Sequence, residues 1–243
     1  MIVLCLHHMG TEAGAGAKYR QFLLSPAGLR RAIRSVRLLG MEFIPLGDVL
    51  RDPAAFWQGR HANKVVLTFD DGYVNNLTEA LPVLAEEKCP ATVFAVAGKL
   101  GGYNDWDPDL PRAPLMTLEQ MRQMTRTPGL TIGSHGLLHR RLQTLPPDEL
   151  AREITESHAI LSAGLGAGYI PALAYPYGNY SAEVRDRVKD SPFQCAFTIR
   201  RGHWQPATHP YEIPRFCLGW QDGYPLVFLL KCLRNRFRSA LQV

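Results

Sequence analysis

The chain is expected to fold as an α/β protein, a distorted or incomplete parallel (β/α) barrel of about seven strands. Three observations predict this. Short apolar runs alternate with longer segments whose apolar residues recur at helical spacing, the signature of repeated βα units and a parallel sheet. The length, 243 residues, suits one large α/β domain better than two small ones. Residues able to do chemistry fall just after several of the apolar runs, where the strand ends of a parallel barrel converge.

The strand-like runs cover residues 2–6, 42–44, 65–69, 92–96, 130–132, 172–174 and 195–199. Between the first two, Ser25 offers an N-cap and Pro26 a first-turn residue. Leu29, Ile33, Val36 and Leu39 then repeat at helical spacing until Gly40. Residues 75–87 form a second helical pattern, in which Pro82 must kink the helix or shift its start. After Pro146-Pro147, Leu150, Ile154 and Leu161 mark a third helix, expected to stop at Gly164, and residues 181–189 a fourth. No repeat or low-complexity segment interrupts this order. Residues 1–222 read as the barrel domain and 223–243 as a C-terminal basic amphipathic segment.

Composition excludes several classes. With 46% hydrophobic and 20% charged residues the chain reads as an ordinary globular protein, and no run approaches the roughly 18 apolar residues of a membrane span. A net charge of +5 without an aromatic-interleaved basic patch in the barrel region argues against nucleic acid as a partner. The five cysteines, Cys5, Cys89, Cys195, Cys217 and Cys232, are scattered and show no C-x-x-C spacing, so reduced, mostly buried thiols are expected. The start of the chain lacks a basic n-region, and a cytoplasmic location follows as the expectation.

The most informative stretch is Thr68-Phe69-Asp70-Asp71-Gly72-Tyr73, directly after Val65-Val66-Leu67. Two adjacent carboxylates at the end of a buried strand repel each other and resist burial, a conflict that a cation removes. Ser134-His135-Gly136-Leu137-Leu138-His139 follows another strand-like run and supplies two imidazoles at i, i+4 spacing. One carboxylate with these two histidines makes a three-ligand divalent site with open positions, the pattern of a catalytic rather than a structural metal.

Taken together with Ala174-Tyr175-Pro176-Tyr177-Gly178, these motifs resemble those of the polysaccharide deacetylases, the carbohydrate-esterase group that includes the nodulation chitooligosaccharide deacetylases. That family carries TFDDG, H-(S/T)-x-x-H and R-x-P-Y-G in this order, and the likeness spans about residues 1–222. The resemblance implies a hydrolase of carbon–nitrogen non-peptide bonds, removing an acyl group, most simply N-acetyl, from an amino sugar. The substrate would be a polysaccharide, an oligosaccharide or a lipid- or nucleotide-linked precursor. It implies one divalent metal, zinc or else cobalt or nickel, on Asp71, His135 and His139. Asp70 would be the base toward a metal-activated water, and the backbone N–H of Tyr177 an oxyanion donor. O-deacetylation of a polysaccharide and an inactive carbohydrate-binding relative are the competing readings.

The chain departs from the family pattern in several places. The late L-x-H histidine that serves many relatives as general acid is absent; His7, which resembles a histidine of an N-terminal Y-H pair, is the first candidate and His203 the second. His8 is read as a site neighbour or a surface residue, and His61 and His158 as structural or solvated. Ala174 replaces the arginine that steadies the base, and Arg215 is offered as its substitute. Gly136 lacks the hydroxyl that follows the first histidine, so weaker metal binding is expected. The D-x-x-D-W pattern is unrecognisable, although Trp220 and Asp222 lie nearby.

The loop at 98–114, carrying Tyr103 and Trp106, is read either as a solvated connection or as a wall on which sugar rings stack. The segment from Tyr224 onward joins Phe228, Leu229, Cys232, Leu233, Phe237 and Leu241 to Lys231, Arg234, Arg236 and Arg238. It is read either as a helix docked on the barrel or as an interfacial helix that brings the protein to the inner face of an anionic membrane.

Overall fold

In the computed structural model, which describes residues 1–11, 16–59, 61–108 and 111–219, every sheet pairing between strands is parallel. In chain order the elements begin with β1 (Ile2–Leu6), β2 (His8–Met9), α1 (Ala17–Arg20), β3 (Leu23–Leu24), α2 (Pro26–Leu38) and β4 (Glu42–Phe43). Then come α3 (Leu46–Arg51), α4 (Pro53–Gln58), β5 (Lys64–Phe69), α5 (Leu81–Glu86), β6 (Ala91–Ala95), α6 (Leu118–Thr125) and β7 (Leu130–Ser134). The chain continues through α7 (Pro147–Leu165), β8 (Tyr169–Ala174), α8 (Ala182–Lys189), β9 (Cys195–Phe197) and β10 (Phe216–Cys217).

The main sheet runs β10-β1-β5-β6-β7-β8-β9 and curls toward a barrel. All seven strand-like runs read from the sequence are strands, but β4 stands outside the ring. It pairs with Lys64 and Val65 at the start of β5, on the edge that β6 takes further along at Thr68 and Phe69. The seventh ring position belongs to β10, a two-residue strand too short to leave a periodic signal. The gap between β9 and β10 is bridged just before β10: Ile213 donates its N–H to Ala196 O, and Thr198 donates to Ile213 O, both at 2.9 Å.

Period-2 alternation decides what faces the interior. Val65, Leu67 and Phe69 of β5 pack outward in one core cluster with residues of α2, α5 and α6, including Leu29, Leu84 and Met121, while Val66 points inward with Val3, Phe94 and Phe197. Continuing that inward column past Thr68 leads to Asp70, so the first carboxylate is delivered to the barrel interior by register. Gly133 leaves room for the Phe94 ring, whose carbon would lie 2.5 Å from an added Cβ.

The helices follow their expected signals with one correction. Ser25 caps α2 by accepting from Gly28 N–H at 3.0 Å. Ahead of Pro82, which can donate no hydrogen bond, residues Asn76–Ala80 take a π-helical turn before α5. Gly164 does not end α7. The helix runs on to Leu165 and stops at Gly166, φ +50°, because Gly164 serves instead as a contact with α6, where an added Cβ would sit 2.7 Å from Leu118. Among the described residues no helix is long and apolar enough to cross a membrane. Residues 220–243, and with them Trp220, Asp222 and the basic amphipathic segment, lie outside the described residues.

Candidate metal centre and catalytic site

Asp70 and Asp71 leave β5 in different directions because the backbone turns sharply between them. Asp70 still continues the sheet, donating its N–H to Leu6 O at 2.8 Å, whereas Asp71 and Gly72 take left-handed φ values of 73° and 77°. His135 likewise continues β7 by donating to Ala95 O at 2.8 Å; Gly136 then turns at φ 79°, and His139 itself sits at φ 57°. Tyr177, at φ 59°, is a stronger outlier, since a bulky residue seldom adopts this region. Three of the four described non-glycine residues with positive φ are thus Asp71, His139 and Tyr177, all in one cavity. Strain of about 1–3 kcal/mol per residue clusters where function needs a fixed direction.

The structure brings Asp71, His135 and His139 together. Nε2 of His135 and Nε2 of His139 lie 3.4 and 3.3 Å from the same Asp71 oxygen, Oδ1, yet that buried oxygen accepts no hydrogen bond. Donor atoms bound tetrahedrally to a cation at about 2.1 Å stand roughly 3.4 Å apart, so the spacing fits ligation better than hydrogen bonding. His135 Nδ1 is fixed by Ala174 O at 2.8 Å, which leaves Nε2, the atom facing Asp71, available as a ligand. One carboxylate and two imidazoles suit zinc, cobalt or nickel, and the donor set alone does not choose among them.

A second donor cluster, Cys5, His7 and Asp70, has its ligand atoms within 4.8 Å of one another. It is already served by a cation. Arg215 grips Asp70 with both arms, Nη1 to Oδ1 and Nη2 to Oδ2 at 2.7 Å each, while its Nε donates to Thr198 O at 3.0 Å. Both partners are fully buried, with the Phe94 and Phe197 rings 5.7 and 5.8 Å from the guanidinium carbon. Burial pushes the Asp70 carboxyl up, but the Arg215 charge and fork, helped by His135, hold it down at about 2. Arg215, offered in place of the arginine missing at Ala174, therefore reaches Asp70 from the opposite edge of the sheet. Cys5 adds a weak donor, Sγ to Asp70 Oδ2 at 3.5 Å.

The histidines separate by position. His7 is half-buried at the cavity, edge-on to Phe22 at 5.1 Å, with a ring nitrogen within 4.8 Å of Asp70. His203 is placed elsewhere. Its neighbour Trp204 exchanges hydrogen bonds with Met1, and burial and the chain's own N-terminal charge lower the His203 pKa, which sets it beside the start of β1 while the cavity lies beyond its end. Strand direction thus removes the second candidate for the acid. His8 is a buried site neighbour stacked on Tyr73 at 3.5 Å, held down to about 4 by burial. His61 packs against Trp57 in a connection, and His158 bonds Tyr169 Oη at 2.9 Å.

The cavity, about 380 Å³, is walled by Trp106, Tyr177, Phe22, Ile199 and Cys217. Trp106 stacks on His139 with ring centroids 4.3 Å apart, and Tyr177 meets the same imidazole edge-on at 4.6 Å. Tyr103 does not share this wall; it is 42% exposed beneath Arg112. The loop carrying both aromatics is tied to the Asp71-Gly72 turn, since Met116 donates to Gly72 O at 2.8 Å and Val74 to Pro114 O at 2.9 Å. Sequence reasoning did not find Glu153, a buried carboxylate behind the histidine loop. Its signal was available: a Glu between Leu150 and Ile154 on the apolar stripe of α7.

The family model described as polysaccharide deacetylase matches residues 58–196, more than half of the chain. The chain belongs to the polysaccharide deacetylase family. The matched span holds five of the candidate site residues of this family member, Asp70, Asp71, His135, His139 and Tyr177, whereas His7 and Arg215 lie outside it. A chitooligosaccharide deacetylase of Rhizobium leguminosarum bv. trifolii is 30% identical over 152 residues, 60% of this chain and 58% of that protein. A poly-beta-1,6-N-acetyl-D-glucosamine N-deacetylase of Staphylococcus aureus (strain MRSA252) is 23% identical over 63% of this chain and 54% of its own length. The chain spans about half the length of the curated relatives it matches. Among solved structures, a Streptococcus pyogenes deacetylase in complex with acetate superposes with a TM-score of 0.77 at 20% identity, covering 95% of this chain and 96% of the other. IcaB from Ammonifex degensii does so at 0.77 and 20%, covering 94% and 95%. At such identity these two likenesses establish the barrel fold.

Proposed function

We propose that the chain is a metal-dependent hydrolase that removes acetyl from an N-acetylated amino sugar in a glycan or glycan precursor. The observation that carries this reading is the convergence of two imidazole nitrogens on a buried Asp71 oxygen that has no hydrogen bond, beside a second carboxylate held ionised by Arg215. The related chitooligosaccharide and poly-N-acetylglucosamine deacetylases support the choice of an N-acetyl substrate.

Asp71, His135 and His139 would hold the divalent cation. When bound, it supplies Lewis acidity to the acyl carbonyl and acidifies the attacking water. Asp70, which lines the same cavity, takes the proton as water adds to the acyl carbon. Arg215 keeps Asp70 ionised and fixes the direction of its lone pairs. The Tyr177 N–H, aimed by the left-handed turn, donates to the oxygen as it gains charge. His7 gives a proton to the departing amine, so that the carbon–nitrogen bond breaks to acetate and a free amine. Trp106 stacks against the sugar face.

Acetate release from N-acetyl and from O-acetyl oligosaccharides, with and without a chelator, tests the reading. Release from the N-acetyl substrate, abolished by the chelator and restored by Zn²⁺, is expected, and His139→Ala should lose both the metal and the activity. Release from the O-acetyl substrate alone makes the chain an esterase, and sugar binding without hydrolysis makes it a binding protein. The wall predicts a smaller effect: Trp106→Ala raises KM roughly fivefold, about 1 kcal/mol of stacking, measured on metal-loaded protein. An unchanged KM removes Trp106 from the substrate surface.

A further inference from the structure

Glu153 sits on the buried stripe of α7, 2% exposed. Its Oε2 accepts from the N–H groups of Leu137 at 2.8 Å and Leu138 at 3.0 Å, the two residues directly ahead of His139. Its Oε1 is buried without a partner, and among the described residues no cationic side chain pairs with it. A carboxylate buried on two amide bonds alone is costly, so its place needs a reason.

Two features supply one. The first is geometric. Gly136 turns at φ +79°, and a Cβ added there would meet Glu153 Oε2 at 3.2 Å, so the carboxylate fills the space beside the residue that lacks the expected hydroxyl. Ser134 Oγ completes the support by accepting from Gly136 N–H at 3.1 Å. From behind, α7 thus holds the backbone between the two histidines, and the left-handed His139 keeps its direction. The second is electrostatic. Asp70 and Arg215 cancel one another, and a divalent cation on Asp71 and two neutral imidazoles leaves one positive charge in a dry interior, which a carboxylate behind the ligand loop balances.

We infer that Glu153 is the positioning residue of the metal centre, setting cation affinity by holding the 135–139 loop and by its charge. This rests on the metal-centre reading. The test titrates the full metal-free chain with Zn²⁺ against a chromogenic chelator and follows its thermal unfolding without metal. Glu153→Ala is expected to weaken Zn²⁺ binding about 10–100-fold, as loss of an outer partner of a metal ligand does. Glu153→Gln keeps the shape and removes the charge, and a several-fold loss is expected from it. Leu150→Ala, one turn earlier on α7, should lower the metal-free Tm yet keep the Zn²⁺ Kd within about twofold. Wild-type affinity in both Glu153 variants, with only Tm reduced, would overturn the inference. A wild-type chain that binds no Zn²⁺ would overturn the metal centre itself, and the inference with it.

Discussion

Asp70→Asn is expected to leave a folded chain that still binds its cation but turns over about 10²–10⁴-fold more slowly, the usual contribution of a positioned proton acceptor. The amide keeps the volume of the side chain and one oxygen for the Arg215 fork, which now bonds Asp70 at 2.7 Å through both arms. It cannot accept the proton from the attacking water. KM should stay within about threefold, because Asp70 is assigned to the reaction and not to the sugar. Acetate release measured beside metal stoichiometry checks this, and full activity at full metal loading would remove Asp70 from its role.

Arg215→Met is expected to act first on stability. Taking one partner from a buried pair leaves an uncompensated carboxylate and costs about 3–5 kcal/mol, roughly 6–20 °C in Tm at this chain length. The pH dependence should also change sign. In the wild type, Asp70 is held at about 2, below its ordinary 3.8, so its stabilising effect is complete above about pH 4 and is lost as pH falls toward 2. With Arg215 gone, burial, the largest single effect on this carboxyl, is expected to outweigh the remaining pull of His135 and His7 and raise its folded pKa above the unfolded one. The variant should then gain stability as pH falls from neutral through that raised value, while the wild type gains none from this group. Thermal unfolding from pH 7 to 3 reads both curves. Adding Asp70→Asn to Arg215→Met should recover part of the loss, since no stranded charge remains; an additive double variant would argue against the pairing.

How much was legible in advance depended on how local each signal was. The strand-to-turn stretches around Asp70-Asp71 and His135 to His139 carry their chemistry within a few residues, and so could be read directly. The Gly136 departure, read as a weakness, acquires a physical account in Glu153 Oε2, which occupies the space beside it and bonds the next two amides. The Gly164 stop failed for a packing reason, since contact with Leu118 asks for glycine within the helix as readily as a C-cap does. β10 went unseen because two residues have no periodicity, although they place Arg215.

By itself, the sequence determined the parallel alternating architecture and the identity of one carboxylate and two imidazoles as a convergent set, because strand period, turn chemistry and ligand type are all written in adjacent residues. Only the tertiary structure decided that Arg215, 145 positions away, faces Asp70, that His7 and not His203 shares the cavity, and that Trp106 but not Tyr103 walls it. Those choices depend on sheet order and strand direction, which arise from packing the whole barrel and leave no mark in any short stretch of chain.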